Sequence, residues 1–120
     1  MGQMKIGMAY IKVDGQLLES LPGAKLDLGG VERATVKGSN KVLGFSESPK
    51  ESMLECEIAV GAETDLIRLG RTRDATITFV PDVGRPYVIR NAWCVETPKL
   101  QDSEGGKAPL KFAGPPADEM

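Results

Sequence analysis

Two carboxylates offer the most direct route to chemistry in this 120-residue chain. Glu55 and Glu57 stand two apart in a stretch that alternates apolar and polar residues. On a strand their carboxyls would share one face about 7 Å apart, a separation compatible with paired-carboxylate glycoside hydrolysis. Little surrounds them to make such a site. With one Trp, two Tyr and three Phe in the whole chain, no sugar-stacking platform is evident, and a Glu pair on a strand is most simply an exposed polar face. Arg68, Arg71 and Arg73 suggest a phosphate cluster, yet they gather at the C-terminal end of an expected short helix, where the dipole favours cations without any ligand. The chain has no histidine, which removes the commonest general base, the Ser-His triads and most catalytic zinc sites. Cys56 and Cys94 lack metal-ligand spacing, and Gly29-Gly30 and Gly105-Gly106 match neither a P-loop nor a dinucleotide fingerprint. No catalytic residue, cofactor site or metal site is expected, and the chain is not expected to be an enzyme.

The elements that would position these residues are mostly strands. In residues 53–60, Leu54, Cys56, Ile58 and Val60 share one parity and Glu55 and Glu57 the other, as in a half-buried strand. Residues 64–69 read as a helix of two turns at most, with Thr64 as N-cap and Gly70 as terminator. Ile77 and Phe79 alternate with Thr76 and Thr78, and residues 81–84 are a turn leading into a β-rich run over 87–95. In that run Tyr87, Ile89, Asn91, Trp93 and Val95 share one face; Val88, Arg90, Ala92 and Cys94 share the other. Both faces are largely apolar, so both require cover from the domain or from another subunit.

Toward the N-terminus, Asp14-Gly15 between two β-compatible runs marks a hairpin. A short strand carrying Ala24, Leu26 and Leu28 follows, and Leu110 and Phe112 belong to another near the C-terminus. Residues 31–51 have few large apolar side chains, Leu43 and Phe45 among them, and cannot bury a core of their own. The segment is expected to extend from the domain and order against an adjacent subunit, anchored by Leu43 and Phe45. Residues 114–120 read as a loose tail.

Composition sets the outer limits. The length suits one domain with a single modest core over residues 1–120. A net charge of −2 provides no basic footprint for tight nucleic-acid binding. No apolar run approaches the ~18 residues of a membrane span, and no secretory signal is evident, so a cytoplasm is the expected site of synthesis. Both cysteines are expected to be reduced packing residues. The fold class is mainly β: a small antiparallel β-sandwich or barrel with one short flanking α-helix.

An ordered series of segments carries a resemblance. Ala9-Tyr10-Ile11-Lys12-Val13-Asp14-Gly15, Pro22-Gly23-Ala24, Gly29-Gly30-Val31-Glu32-Arg33, Gly44-Phe45-Ser46-Glu47-Ser48-Pro49-Lys50, Leu54-Glu55-Cys56 and Tyr87-Val88-Ile89-Arg90-Asn91-Ala92 together resemble the tail tube proteins of Mu-like contractile-tailed bacteriophages. The similarity spans nearly the whole chain, and its weight lies in order and spacing, because each segment alone is a turn or strand signature. It implies a structural virion protein whose hexameric rings stack into a hollow tail tube. The implied partners are further copies of itself, the tail sheath protein, the tape-measure protein, the baseplate and tail-terminator proteins, and DNA in transit. Host cytoplasm would be the place of assembly, with no membrane insertion and no cofactor. If the central sheet lined the channel, Glu55 and Glu57 on one strand and Thr76 and Thr78 on the next would face the lumen. A type VI secretion tube protein of similar architecture and a monomeric β-barrel binding module are the alternatives. The second would want a basic or aromatic groove.

Overall fold

The computed structural model describes residues 3, 7–18, 20–61, 65–99 and 106–120. Among the described residues, ten strands and one helix run in the order β1 (Ala9–Val13), β2 (Gln16–Leu18), β3 (Lys25–Asp27), β4 (Gly30–Lys37), β5 (Val42–Lys50), β6 (Ser52–Ala59), α1 (Leu66–Gly70), β7 (Ala75–Pro81), β8 (Tyr87–Cys94), β9 (Lys107–Gly114) and β10 (Asp118–Glu119). All pairings are antiparallel. Seven strands follow the path β2-β1-β7-β8-β9-β6-β3, β10 adds to β8, and β4 and β5 form a separate two-stranded sheet.

Local chemistry starts the fold. Asp14 and Gly15 occupy the left-handed region, at φ 50° and 84°, and join Val13 to Gln16 in a two-residue hairpin loop. Positive φ at both central positions matches the right-handed twist of the strands, which is why Asp-Gly serves here. The Asp14 carboxylate also accepts from the Thr76 backbone N–H at 2.9 Å, tying the turn to β7.

Strand β8 turns the sheet around the core. One edge pairs with β7; the other pairs with β10 at Tyr87 and Val88 and with β9 at Trp93 and Cys94. Between the pairs Ala75↔Ala92 and Ile77↔Ile89, β7 advances two residues while β8 advances three, and Asn91 in this interval has φ 57°. The extra residue is a β-bulge, and asparagine is among the few residues that tolerate this conformation. The strict alternation expected over residues 87–95 therefore fails. Ile89 and Ala92 both point into the core, and Trp93 turns outward, 42% exposed.

The core lies between the β2-β1-β7-β8 and β8-β9-β6-β3 halves of the sheet. It is made of Ile11 and Val13, Ala75 and Ile77, Ile89 and Ala92, Leu54, Cys56 and Ile58, and Ala108, Leu110 and Phe112. The chain leaving β2 crosses to β6, where Ser20 bridges Ile58 and the Leu21 N–H donates to the Glu57 carbonyl at 2.7 Å. This crossing ties the β2 end of the path to β6, next to its other end, and makes the domain barrel-like.

Helix α1 begins at Leu66 with Asp65 as its cap, the carboxylate accepting from the Arg68 N–H at 3.0 Å. Thr64, the expected cap, lies outside the described residues. Leu66 and Leu69 pack on the core, while Ile67 points away at 70% exposure.

One expectation needs correction. Residues 114–120 are not a loose tail: Asp118 and Glu119 pair with Val88 and Tyr87, and the Ala117 N–H donates to the Leu28 carbonyl at 2.9 Å. Arg90 and Arg85 add ion pairs to Asp118 and Glu119 at 3.1 and 3.0 Å. The segment 31–51 is more regular than its composition suggests. It is a regular hairpin whose register runs from Gly30↔Lys50 to Lys37↔Val42, with a bulge near its tip. Its glycines and scattered polar residues hide a strand pattern that needs no core face, because no core lies beneath it.

Candidate functional site

The β4–β5 hairpin dominates the surface. Every residue from Val31 to Pro49 is exposed, and none of the core residues belongs to it. The radius of gyration is 17.5 Å and the longest dimension 61 Å, against a radius of about 14 Å for a compact domain of this length. An isolated two-stranded hairpin is marginal in water, and three or more strands or a packed partner are needed to hold one. Val31, Arg33, Thr35, Phe45, Glu47 and Pro49 share one face by register. Arg33 lies 5.8 Å from the centroid of the Phe45 ring and 4.0 Å from the Glu47 carboxylate. Leu43 is the extra residue of the bulge, since Val36 pairs with Gly44 and Lys37 with Val42. Leu43 and Phe45 are 60% and 62% exposed, so both anchors are displayed rather than packed.

The base of the hairpin is held firmly. Lys50 pairs with Asp27 at 3.1 Å, and Asp27 also accepts from the Gly29 N–H at 3.0 Å. The Gly29 N–H first, and Lys50 second, lower the Asp27 pKa, while Asp27 raises that of Lys50. This ion pair is therefore intact above the usual carboxylate range and is lost as pH falls through the lowered Asp27 pKa. Next in the chain, the Ser52 hydroxyl is fully buried and lies 2.6 Å from the Pro115 carbonyl and 3.2 Å from that of Gly114.

Gly29 sets the launch angle. It has φ +71°, and a Cβ there would meet the Ser52 nitrogen at 2.6 Å and the Glu51 carbonyl carbon at 2.7 Å. Gly29→Ala adds a backbone clash to a left-handed penalty of about 1–2 kcal/mol. The expected outcome is a thermal midpoint lower by at least several degrees and loss of ordered assembly by electron microscopy. Unchanged melting and assembly would show that the crossing yields without consequence.

The four channel candidates are not brought together. Glu55 and Glu57 are exposed on β6, and Thr76 and Thr78 lie on the outer face of β7, in the other half of the barrel. The core lies between these halves, so the two pairs point outward in different directions and a single channel wall can include only one of them. Glu55 is also less free than its sequence position suggests. It stands opposite Lys25 and Lys111, with the Lys111 ammonium 3.6 Å away and shared with Glu96 at 3.7 Å. Glu57 stands opposite Pro109.

Cys56 is buried and Cys94 half-buried, its thiol 3.0 Å from the Glu96 carbonyl oxygen. Burial pushes the Cys56 thiol up to about 11 from 9.0. A raised pKa means that its stabilising effect is complete below pH 9 and is lost as pH rises toward 11. By linkage the loss amounts to about 2–3 kcal/mol. Alkaline titration of unfolding should show this decline, and Cys56→Ala, though less stable at neutral pH, should flatten it. An equal slope in the variant would assign the decline to other groups. Thiol reagents should spare Cys56 in the native protein and reach Cys94 first.

A small antiparallel barrel carrying a projecting, coreless hairpin defines a class of structural subunit completed by other copies. The profile of the phage tail tube protein family matches residues 2–119, and the chain belongs to that family. It is 45% identical over 107 residues to the Mu-like prophage FluMu tail tube protein of Haemophilus influenzae, covering 89% of this chain and 88% of the relative. Identity to the tail tube protein of Escherichia phage Mu is 33% over 109 residues, covering 91% and 89%. Among solved structures, Hcp1 from Flavobacterium johnsoniae matches with a TM-score of 0.53 at 14% identity, covering 95% of this chain and all of that one. That similarity concerns the fold. The protein is a structural component of a phage virion tail.

Proposed function

We propose that copies of this chain close into hexameric rings and that the rings stack as the inner tube of a contractile tail. The observation that carries this reading is the β4–β5 hairpin, displayed on both faces by a domain whose own core excludes it. A subunit made for self-assembly must hold its contact surface ready in the monomer, and here the anchors stand on a firmly based lever. Outside the tube the sheath protein is the partner. The tape-measure protein occupies the channel during assembly, the baseplate and tail-terminator proteins bind the tube's two ends, and DNA passes transiently. Assembly takes place in the host cytoplasm, without membrane insertion, cofactor or catalysis. Negative-stain microscopy of the purified full chain tests the reading. Rings or tubes are expected, and a protein that stays monomeric at high concentration and in the presence of baseplates overturns it.

In this reading the outer face of β3-β6-β9 lines the channel, and Thr76 and Thr78 face away from it. Glu55, Glu57 and Glu96 with Lys25, Lys107 and Lys111 give that face both signs of charge in close alternation. A phosphate backbone passing over it meets no continuous basic stripe to which it could adhere by counterion release. Glu55→Lys with Glu57→Lys creates such a stripe, repeated around each ring. Tubes should still form, while DNA ejection slows at low salt and recovers partly at higher salt. Unchanged ejection at low salt removes the channel assignment and leaves the tube standing.

A further inference from the structure

We infer that the groove between the start of β1 and the segment after β2 is the socket for the hairpin tip of a second copy of this chain. The inference rests on the tube reading and names the surface that receives the hairpin. The groove measures about 520 Å³ and is lined by Met8, Tyr10, Leu17, Leu21, Pro22 and Phe79, among others, with no charged side chain among the described residues of its lining. Met8, Tyr10 and Leu17 are 60%, 48% and 57% exposed, so apolar side chains stand open at its rim. An open apolar groove of this size calls for an occupant.

Two observations identify that occupant. From Val36 to Phe45 the hairpin tip carries Val42, Leu43 and Phe45, all exposed, so the chain displays an unpaired apolar knob as well as an unpaired apolar groove. An eight-residue β4 carries the tip about 26 Å from its base, far enough to reach beyond its own domain into a neighbour.

Knob and groove are different surfaces of one chain, so the contact is heterologous, the kind that propagates into rings or filaments instead of stopping at a dimer. Aromatic and aliphatic anchors filling a desolvated pocket are the usual source of interface energy. Phe45 and Leu43 would displace water from Tyr10, Leu17 and Phe79.

Two chains test it: one carrying Tyr10→Asp and Leu17→Asp in the groove, the other Phe45→Asp at the tip. Each alone should remain a folded monomer with a wild-type circular dichroism spectrum. Mixed, they should pair one to one by native mass spectrometry, because the tip of the first and the groove of the second are both intact. Tubes from the groove variant, or two folded variants that do not pair on mixing, overturn the socket. Should the groove variant fail to fold, Leu17→Cys with Leu43→Cys in a Cys94→Ser background decides the question under oxidation. A covalent ladder on a non-reducing gel supports the contact, and tubes without a ladder overturn it. Absence of any assembly in the wild-type chain would instead count against the tube reading itself.

Discussion

Removing residues 39–48 should leave a folded monomer that forms no tubes. The deletion takes Leu43, Phe45 and most of β5, and no residue of the hydrophobic core lies within it. Ser52, whose hydroxyl reaches the Gly114 and Pro115 carbonyls, stays in place, as do Asp27 and Lys50. The thermal midpoint of the monomer should therefore move by only a few degrees, while assembly, read by sedimentation and electron microscopy, is abolished. Phe45→Ala should act in the same direction with a graded effect. An aromatic interface anchor is commonly worth about 2 kcal/mol or more, which is about thirty-fold in each contact, and every ring repeats the contact. Wild-type tubes from the deleted chain would remove the hairpin from assembly.

Phe112→Ala should produce the largest loss of stability of any single truncation. Phe112 is fully buried on β9, opposite Leu54 on β6 and Cys94 on β8, where the two halves of the sheet meet. Truncation removes the transfer energy of the ring and leaves a cavity that backbone paired on both sides cannot close. A cost of about 3–5 kcal/mol is expected, against a total of roughly 5–15 kcal/mol for an ordinary domain. Leu54→Ala should follow closely, whereas Val36→Ala on the exposed hairpin should change the monomer by no more than about 0.5 kcal/mol. Urea unfolding is best measured in the background lacking residues 39–48, since assembly would otherwise add its own stabilisation. A loss below about 1 kcal/mol for Phe112→Ala would mean that the barrel repacks around the cavity.

As proposed, the groove contact and the channel face make separable demands on one small domain. Charged substitutions at Tyr10 and Leu17 should abolish assembly, whereas lysines at positions 55 and 57 should spare assembly and alter passage. If each set of variants showed both defects, the division of labour between hairpin, groove and β3-β6-β9 face would fail.

Local chemistry alone determined a good part of this protein. Asp14-Gly15 dictated the first hairpin, because few other residue pairs accept positive φ at both central positions. The alternation from Leu54 to Ile58 settled which face of β6 is buried, and the want of large apolar side chains over residues 31–51 showed that this segment has no core of its own. The absence of histidine excluded histidine-based acid–base chemistry and histidine metal ligands from this chain.

Other features depended on partners distant in the chain. Alternation over residues 87–95 could not reveal the bulge at Asn91, because the extra residue is defined only by the offset of Ile77↔Ile89 from Ala75↔Ala92. The C-terminal segment has no apolar run of its own; its order comes from a backbone ladder to Tyr87 and Val88 and from arginines about thirty residues away. Glu55 and Glu57 read as neighbours of Thr76 and Thr78 because both pairs have outward parity. Parity says in or out of the core, and only the closed sheet decides which side of the barrel outward is. The groove of Met8, Tyr10, Leu17 and Phe79 was invisible for the same reason, since Phe79 is brought beside the first strand by the pairing of β1 with β7.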